Sequence, residues 1–347
     1  MNDKTPLLPV HVISGFLGSG KTTLLKSVLA SEEFGDSAVL INEFGDVGLD
    51  NRLLGEIAED AVLLSSGCVC CTIRGELSDA LRRLMSQRQD GKIPPFKRII
   101  LETTGLADPG PIASTITADP VLRHHLRPGT NLTLVDALNA TASHKLQPVW
   151  ESQIAVADKL VISKVDLVDQ AQLEEVQSLI DAINPAAQQL GQEALNQASD
   201  ELFSSGPHID HYSYSEVKTW LGPWRKPPVP NAASHLGDVQ SFRLGFDGEV
   251  DWTCFGLWLS MLLNRHGSHI MRVKGVLHVQ GDTRPVIIHG VQHTIHPPEH
   301  VAAWPEDDRI SELIFITHGI TAKCVTDSLN TFMTAVSNHP SPRIFHA

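Results

Sequence analysis

Gly15-Phe16-Leu17-Gly18-Ser19-Gly20-Lys21-Thr22 fits G-x-x-x-x-G-K-[ST] at every fixed position and commits the chain to a narrow set of folds. The glycines let the backbone wrap closely around an anion with its N–H groups turned inward. A helix beginning near Lys21 adds its positive end. Such a loop works between a strand and a helix, and the flanking sequence supplies both. The apolar run Val10 to Ser14 precedes it, and an apolar-periodic segment from Thr22 to Leu29 follows. In this setting Gly15, Gly18, Ser19, Gly20, Lys21, Thr22 and Thr23 are the candidate phosphate-binding residues. Lys21 is expected to reach the β- and γ-phosphates, and the Thr22 hydroxyl to ligate Mg²⁺.

Short β-rich runs recur at residues 38–43, 98–102, 132–135 and 159–163, separated by helix-like stretches such as 76–87 and 173–183. This alternation predicts an α/β domain, a mostly parallel sheet with helices on both faces. Ligands in such sheets bind beyond the carboxyl ends of the strands. From about Ala186 the pattern weakens, and the stretch from Gly222 to Pro230, with four prolines, is excluded from a helix interior. It reads as a linker over residues 191–236. Beyond it, Gln240 to Phe246 alternates like a strand. Asp251 is a plausible N-cap for a helix to Arg265, strand-like runs follow at 270–279, 285–291 and 312–317, and a helix follows at 321–336. The order β-α-β-β-β-α predicts a smaller α+β domain over 237–347, after a P-loop domain over 1–190. A length of 347 residues suits two domains at about 150 residues each.

Composition narrows the classes. With 42% hydrophobic residues the chain has material for a sizeable core, which excludes a mostly disordered protein. A formal net charge of −13 does not favour a nucleic-acid or anionic-membrane partner. No apolar run reaches the roughly 18 residues of a membrane helix, and residues 1–10 lack a signal-peptide pattern. The cysteine count is five, which is odd, and three of them fall within four residues. That pattern argues against a disulfide framework and for a reducing, cytoplasmic setting.

Lys159 to Asp166 ends a strand-like run in Ser163-Lys164-Val165-Asp166. This S-K-x-D stands where GTPases carry N-K-x-D. The Asp166 carboxylate would accept from guanine N1–H and the exocyclic amine, a donor pair that adenine lacks, and Lys164 would lie along the base. Ser163 replaces the usual Asn. Arg98 to Glu102 is an apolar strand ending in an acid, with Gly105 three residues on. Glu102 would hold Mg²⁺ through water, and Gly105 would place an N–H near the γ-phosphate.

Gly67-Cys68-Val69-Cys70-Cys71 is the second strong signal. Thiolates suit Zn²⁺, Cu⁺ and related soft ions. Three of them leave one position open on a tetrahedral ion, a site suited to passing metal on. A redox dithiol and buried small apolar side chains are the other readings of the same residues. Cys254 and Cys324 fall on helix-like apolar stretches and read as core.

P-loop, C-x-C-C, Glu102 to Gly105 and S-K-x-D, in this order, resemble the CobW family of metal-handling GTPases, relatives of HypB and UreG. Asn42-Glu43-Phe44-Gly45 and Thr104-Gly105-Leu106-Ala107-Asp108-Pro109 strengthen the likeness. Arg272-Val273-Lys274-Gly275 and Leu313 to Ile316 extend it to the family's C-terminal domain. The resemblance implies a Mg²⁺-dependent GTPase of low intrinsic rate. It implies that Zn²⁺, or Co²⁺ in one branch, is carried on Cys68, Cys70 and Cys71 and delivered to a client protein. A nucleotide-dependent homodimer is also suggested by related GTPases. Residues 42–50 would form the first switch, with Glu43 and Asp46 as acids near Mg²⁺ or the attacking water. Two other classes stay open, a P-loop kinase or GTPase acting on a small molecule with structural zinc, and a non-catalytic zinc-storage module. The histidines His289, His293, His296 and His300, spaced 4, 3 and 4, read as scattered surface residues because Pro297-Pro298 interrupts any helix.

Overall fold

The computed structural model describes residues 6–42, 62–66, 73–195, 200–203, 217, 221, 238–301, 303–304, 309, 311–336 and 343–346. Glu43, Asp46, Cys68, Cys70, Cys71, His208, His211 and the proline-rich stretch 222–230 lie outside the described residues.

The first domain is built from β1 (Leu8–Gly15), α1 (Lys21–Leu29), β2 (Ser37–Asn42), β3 (Val62–Ser66), α2 (Ile73–Gln89), β4 (Arg98–Glu102), α3 (Gly110–Ala118), β5 (Leu126–Asp136), α4 (Ala140–Leu146), α5 (Pro148–Val156), β6 (Lys159–Ser163), α6 (Gln170–Ile183) and β7 (Gln188–Leu190). Strand order is β3-β2-β4-β1-β5-β6-β7, and every pairing from β3 across to β6 is parallel. Strands buried on both faces need apolar residues at successive positions. β6 satisfies this with Leu160, Val161 and Ile162 between buried Lys159 and Ser163. On one face Ile13, Ile41, Ile100, Leu132 and Val161 pack with Leu24, Leu25 and Val28 of α1. On the other, Val12, Leu40, Ile99 and Leu101 pack with Leu77, Leu81 and Leu84 of α2 and Ile112 of α3.

Part of the expected linker folds into this core. Leu195, Leu202 and Phe203 are buried there, with Phe203 edge-on to Phe34 at 5.4 Å between ring centroids. Lys159, buried at the start of β6, donates to the Glu201 main-chain oxygen. Burial pushes its ammonium below the usual lysine range, against the opposing pull of Glu201 and Asp158. The weak sequence pattern there reflects short elements, a helical turn at 200–203 among them, that offer too few residues for a period to show.

The second domain contains β8 (Val239–Asp247), α7 (Trp252–His266), β9 (Ile270–Leu277), β10 (Val286–Val291), β11 (Thr294–Ile295), β12 (Glu299–His300), β13 (Ser311–His318), α8 (Ala322–Val336) and β14 (Arg343–His346). Its sheet is antiparallel in the order β11-β10-β9-β13-β8-β14, with β12 beside β10. Asp251 caps α7 as expected, its side chain accepting from Cys254 N at 3.1 Å. The helices cover one sheet face through Phe255, Trp258, Leu259, Leu329 and Met333, packed on Phe242, Val273 and Phe315. An α/β P-loop domain followed by a smaller α+β domain is the architecture expected from the sequence. Cys254 is in the core, but Cys324 is exposed. The buried stripe of α8 runs through Val325, Thr326, Leu329 and Met333, and Cys324 falls off it.

Asp119 closes the turn after α3. It is buried and accepts from Val121 N at 2.9 Å, Leu122 N at 3.0 Å, Ser78 and Arg82. Burial alone would raise its pKa, but these donors outweigh it and hold the carboxyl well below the ordinary aspartate range. Its contribution is therefore full above the unfolded value near pH 4 and fades as pH falls through the folded value. Asp119→Ala is expected to cost about 2–3 kcal/mol in denaturant unfolding at pH 7, with the difference from wild type narrowing in strong acid.

Candidate functional site

The site grows from the carboxyl ends of β1, β4, β5 and β6. Register sets its levels. Ile13 of β1 pairs with Glu102 of β4 and with Leu132 of β5, and Glu102 pairs with Ile41 of β2. Gly15 ends β1 with φ 135, and a Cβ there would collide with the Leu134 main-chain oxygen, so the turn into the loop requires glycine. Gly20 caps α1 without a side chain, which leaves the helix entrance open to an anion.

Lys21 is buried, and its ammonium donates to Gly15 O at 2.9 Å and Phe16 O at 3.1 Å, over the rim of the loop. Ser19 is fully buried, and its Oγ has no hydrogen-bond partner among the described residues. A buried hydroxyl without a partner is costly, and a phosphate oxygen in the loop would satisfy it. Thr22 Oγ1 donates to Glu102 Oε1 at 3.1 Å, and Glu102 is buried. A hydroxyl oxygen beside a buried carboxylate is a donor set that fits a hard divalent cation such as Mg²⁺. Thr23 is exposed on the first turn of α1.

Ser163 ends β6 and is buried. Its Oγ donates to Ser19 O at 2.8 Å, with Val135 O at 3.3 Å, so the turn after β6 is tied directly to the phosphate loop. Lys164 sits in left-handed backbone, φ 58, and its ammonium is 2.6 Å from Asp136 Oδ2. Asp166 follows in a single helical turn with its side chain exposed. Gly105 leans on the phosphate loop, where a Cβ would stand 2.5 Å from Leu17 N.

Gly15, Gly18, Ser19, Gly20, Lys21, Thr22, Glu102 and Gly105 thus gather at the carboxyl end of the sheet, with Ser163 tied to them and Lys164 and Asp166 following on. Sequence reasoning passed over Asp136 and Gln153. Asp136 carried a signal, since it ends an apolar strand in an acid as Glu102 does. Gln153 carried only its isolation as an amide in an apolar helix.

The histidine row is divided. His289 and His296 rings lie 4.3 Å apart, and His296 is buried. His293 Nδ1 is 3.0 Å from Leu263 O, and His300 Nδ1 is 3.1 Å from Asp282 Oδ2. The expectation of scattered surface residues fails for the His289–His296 pair, because the turn between β10 and β11 folds the second onto the first. Among the described residues no group of three or more His, Cys, Asp or Glu side chains could hold a metal ion. No helix among them is long and apolar enough to cross a membrane.

A glycine-rich loop between β1 and α1, with a hydroxyl–carboxylate pair below it, defines a P-loop nucleotide-binding domain. The chain matches the CobW/HypB/UreG nucleotide-binding domain over residues 9–191 and the cobalamin synthesis protein cobW C-terminal domain over residues 239–333. It belongs to the CobW/HypB/UreG family. It is 30% identical over 310 residues to the zinc chaperone YjiA of Escherichia coli (strain K12), covering 89% of this chain and 93% of that protein. It is 38% identical over 184 residues to zinc-regulated GTPase metalloprotein activator 1 of Schizosaccharomyces pombe, 51% of this chain and 44% of that one. The crystal structure of Zn(II)-bound YjiA GTPase from E. coli shares the fold, with a TM-score of 0.67 at 24% identity over 94% of this chain and 99% of that one.

Proposed function

We propose that this protein is a cytoplasmic GTP-hydrolysing metallochaperone. In this reading it binds Zn²⁺, with Co²⁺ as a second cargo, on Cys68, Cys70 and Cys71 and yields it to a client protein under nucleotide control. The observation that carries the reading is the phosphate loop with buried Ser19 Oγ lacking a partner and Thr22 paired to Glu102. The names of the relatives give the direction, since YjiA is a zinc chaperone and the yeast relative a zinc-regulated GTPase.

In the proposed reaction, water oxygen bonds to the γ-phosphorus as the bridge to the β-phosphate breaks, and the water proton passes to a carboxylate acting as base. Asp46 and Glu43 are the candidates for that base. Lys21 balances charge on the β- and γ-phosphates, and the Gly105 N–H meets the γ-phosphate. Thr22 and Glu102 would hold Mg²⁺, which when bound supplies positive charge against the phosphate oxygens. Asp166 selects guanine, with Lys164 held in place by Asp136.

Register supports the coupling to metal. Ser65 of β3 pairs with Ile41, and Ile41 with Glu102. β3 therefore ends about 10 Å, two strand spacings, from the Glu102 strand, and Cys68 follows two residues after Ser66. In the proposed cycle GTP orders the first switch and the segment after Glu102 so that the thiolates converge, and hydrolysis relaxes them and releases the metal. Leu17, Leu106, Leu138 and Leu167, each about half exposed, follow the carboxyl ends of β1, β4, β5 and β6. This apolar rim supports a nucleotide-dependent homodimer.

Three measurements test the reading. Titration of Zn²⁺ against a competing chelator is expected to give at least about tenfold tighter binding with a non-hydrolysable GTP analogue than with GDP, lost in Cys70→Ala. Equal affinity in both states would show that nucleotide does not gate the metal. Asp166→Asn is expected to slow GTP turnover at least about tenfold and to restore it with xanthosine triphosphate, whose C2 carbonyl accepts from the new amide. Light scattering after size exclusion is expected to show a monomer with GDP and a dimer with the analogue, and Leu138→Glu with Leu167→Glu is expected to stay monomeric. A wild-type monomer in both states removes the homodimer.

A further inference from the structure

Gln153 of α5 is 1% exposed, a polar side chain with no access to water. Its Nε2 donates to Gly105 O at 3.1 Å and to Ala107 O at 3.0 Å. Both partners are acceptors only, so the amide nitrogen faces them and both of its protons are used. The Oε1 is buried with no hydrogen-bond partner among the described residues. The orientation is thus kept for the sake of the two donated bonds, at the expense of an unsatisfied acceptor.

The main chain of Gln153 is fixed as well. Thr133 Oγ1 of β5 donates to Gln153 O at 3.0 Å. The single Thr133 proton is committed there, so Ser14 Oγ is the donor in its 2.8 Å contact with Thr133 Oγ1. Ser14 immediately precedes Gly15. A buried chain of hydrogen bonds therefore runs from the strand entering the phosphate loop, through β5 and α5, to the segment that leaves β4. The same segment touches the phosphate loop from the other side, where Gly105 lies against Leu17 without room for a Cβ.

We propose that Gln153 is a positioning residue for the terminal phosphate. It holds the carbonyl oxygens of Gly105 and Ala107 on a buried donor, so that neither can turn its negative end towards an anion in the loop. The 105–107 segment is thereby set for a γ-phosphate before nucleotide arrives. The inference rests on the reading of Gly105 as the group that meets the γ-phosphate.

The test compares the affinities of a non-hydrolysable GTP analogue and of GDP, each with Mg²⁺, for wild type and Gln153→Met. Methionine keeps the length and volume and removes both donors. Analogue affinity is expected to fall about tenfold while GDP affinity changes less than about twofold. An unchanged ratio, including equal weakening of both nucleotides, means that Gln153 only supports the fold and overturns the proposal. Hydrogen exchange on the nucleotide-free wild type gives a reading that needs no variant. Slow exchange across 105–109 supports a preset segment, and exchange at free-peptide rates overturns it. A wild type that binds neither nucleotide overturns the nucleotide reading, whereas one that binds both, with an unchanged ratio in the variant, overturns the Gln153 inference alone.

Discussion

A parallel ladder lets residues far apart in sequence share one level, and the site depends on that property. Ile13, Ile41, Ser65 and Glu102 are cross-strand neighbours in successive pairs, although as many as 89 positions separate them in the chain. Once the strands are in register, their carboxyl ends form a common edge. The phosphate loop leaves it from β1, the acid stands on it at the end of β4, and the turn after β6 rises from it. A slip of one residue in β4 would send Glu102 to the opposite face and away from Thr22. The interior enforces the register, because the same slip would exchange Ile100 for Ile99 and Leu101 against α1.

Features carried by consecutive residues were legible in the sequence. The phosphate loop, the Glu102 strand and the turn from Ser163 to Asp166 each place their chemistry within eight positions, and each falls on the expected element. The strand at 98–102 and the strand at 159–163 coincide with the expectation, because buried parallel strands announce themselves as unbroken apolar runs. Features made by tertiary contact were not legible. Lys164 meets Asp136 across two strands, and Gln153 meets Gly105 across 48 positions. Phase also misled. Cys324 lies in an apolar stretch yet one step off the buried stripe of α8, and helical spacing among the histidines gave no hint that a strand turn would stack His296 on His289. The residues from 192 to 203 looked like linker because single helical turns carry no period, although Leu195, Leu202 and Phe203 reach the core.

The two domains build their sheets differently, parallel from β3 to β6 in the first and antiparallel in the second. In the first, helices lie on both faces, and the strands are mostly apolar, with buried polar residues such as Ser14, Asn131 and Thr133 hydrogen-bonded within them. In the second, α7 and α8 cover one face, and on β9 the residues of that core alternate with Arg272 and Lys274, which are buried as well. Function was readable in the first domain because contiguous motifs stand at its strand ends, whereas the second gave a fold without a comparable motif.

Ser163 has one further consequence. An asparagine at this position would offer two donors and an acceptor, enough to fasten the turn after β6 to the phosphate loop at more than one point. A serine has a single proton, and its best acceptor is the Ser19 carbonyl. The two walls of the nucleotide cleft are therefore joined at this point by one neutral hydrogen bond, worth on the order of 1 kcal/mol. The turn that bears Lys164 and Asp166 is thus held to the phosphate loop by that single side-chain bond, and to the rest of the sheet by β6, which pairs with β5 as far as Ser163.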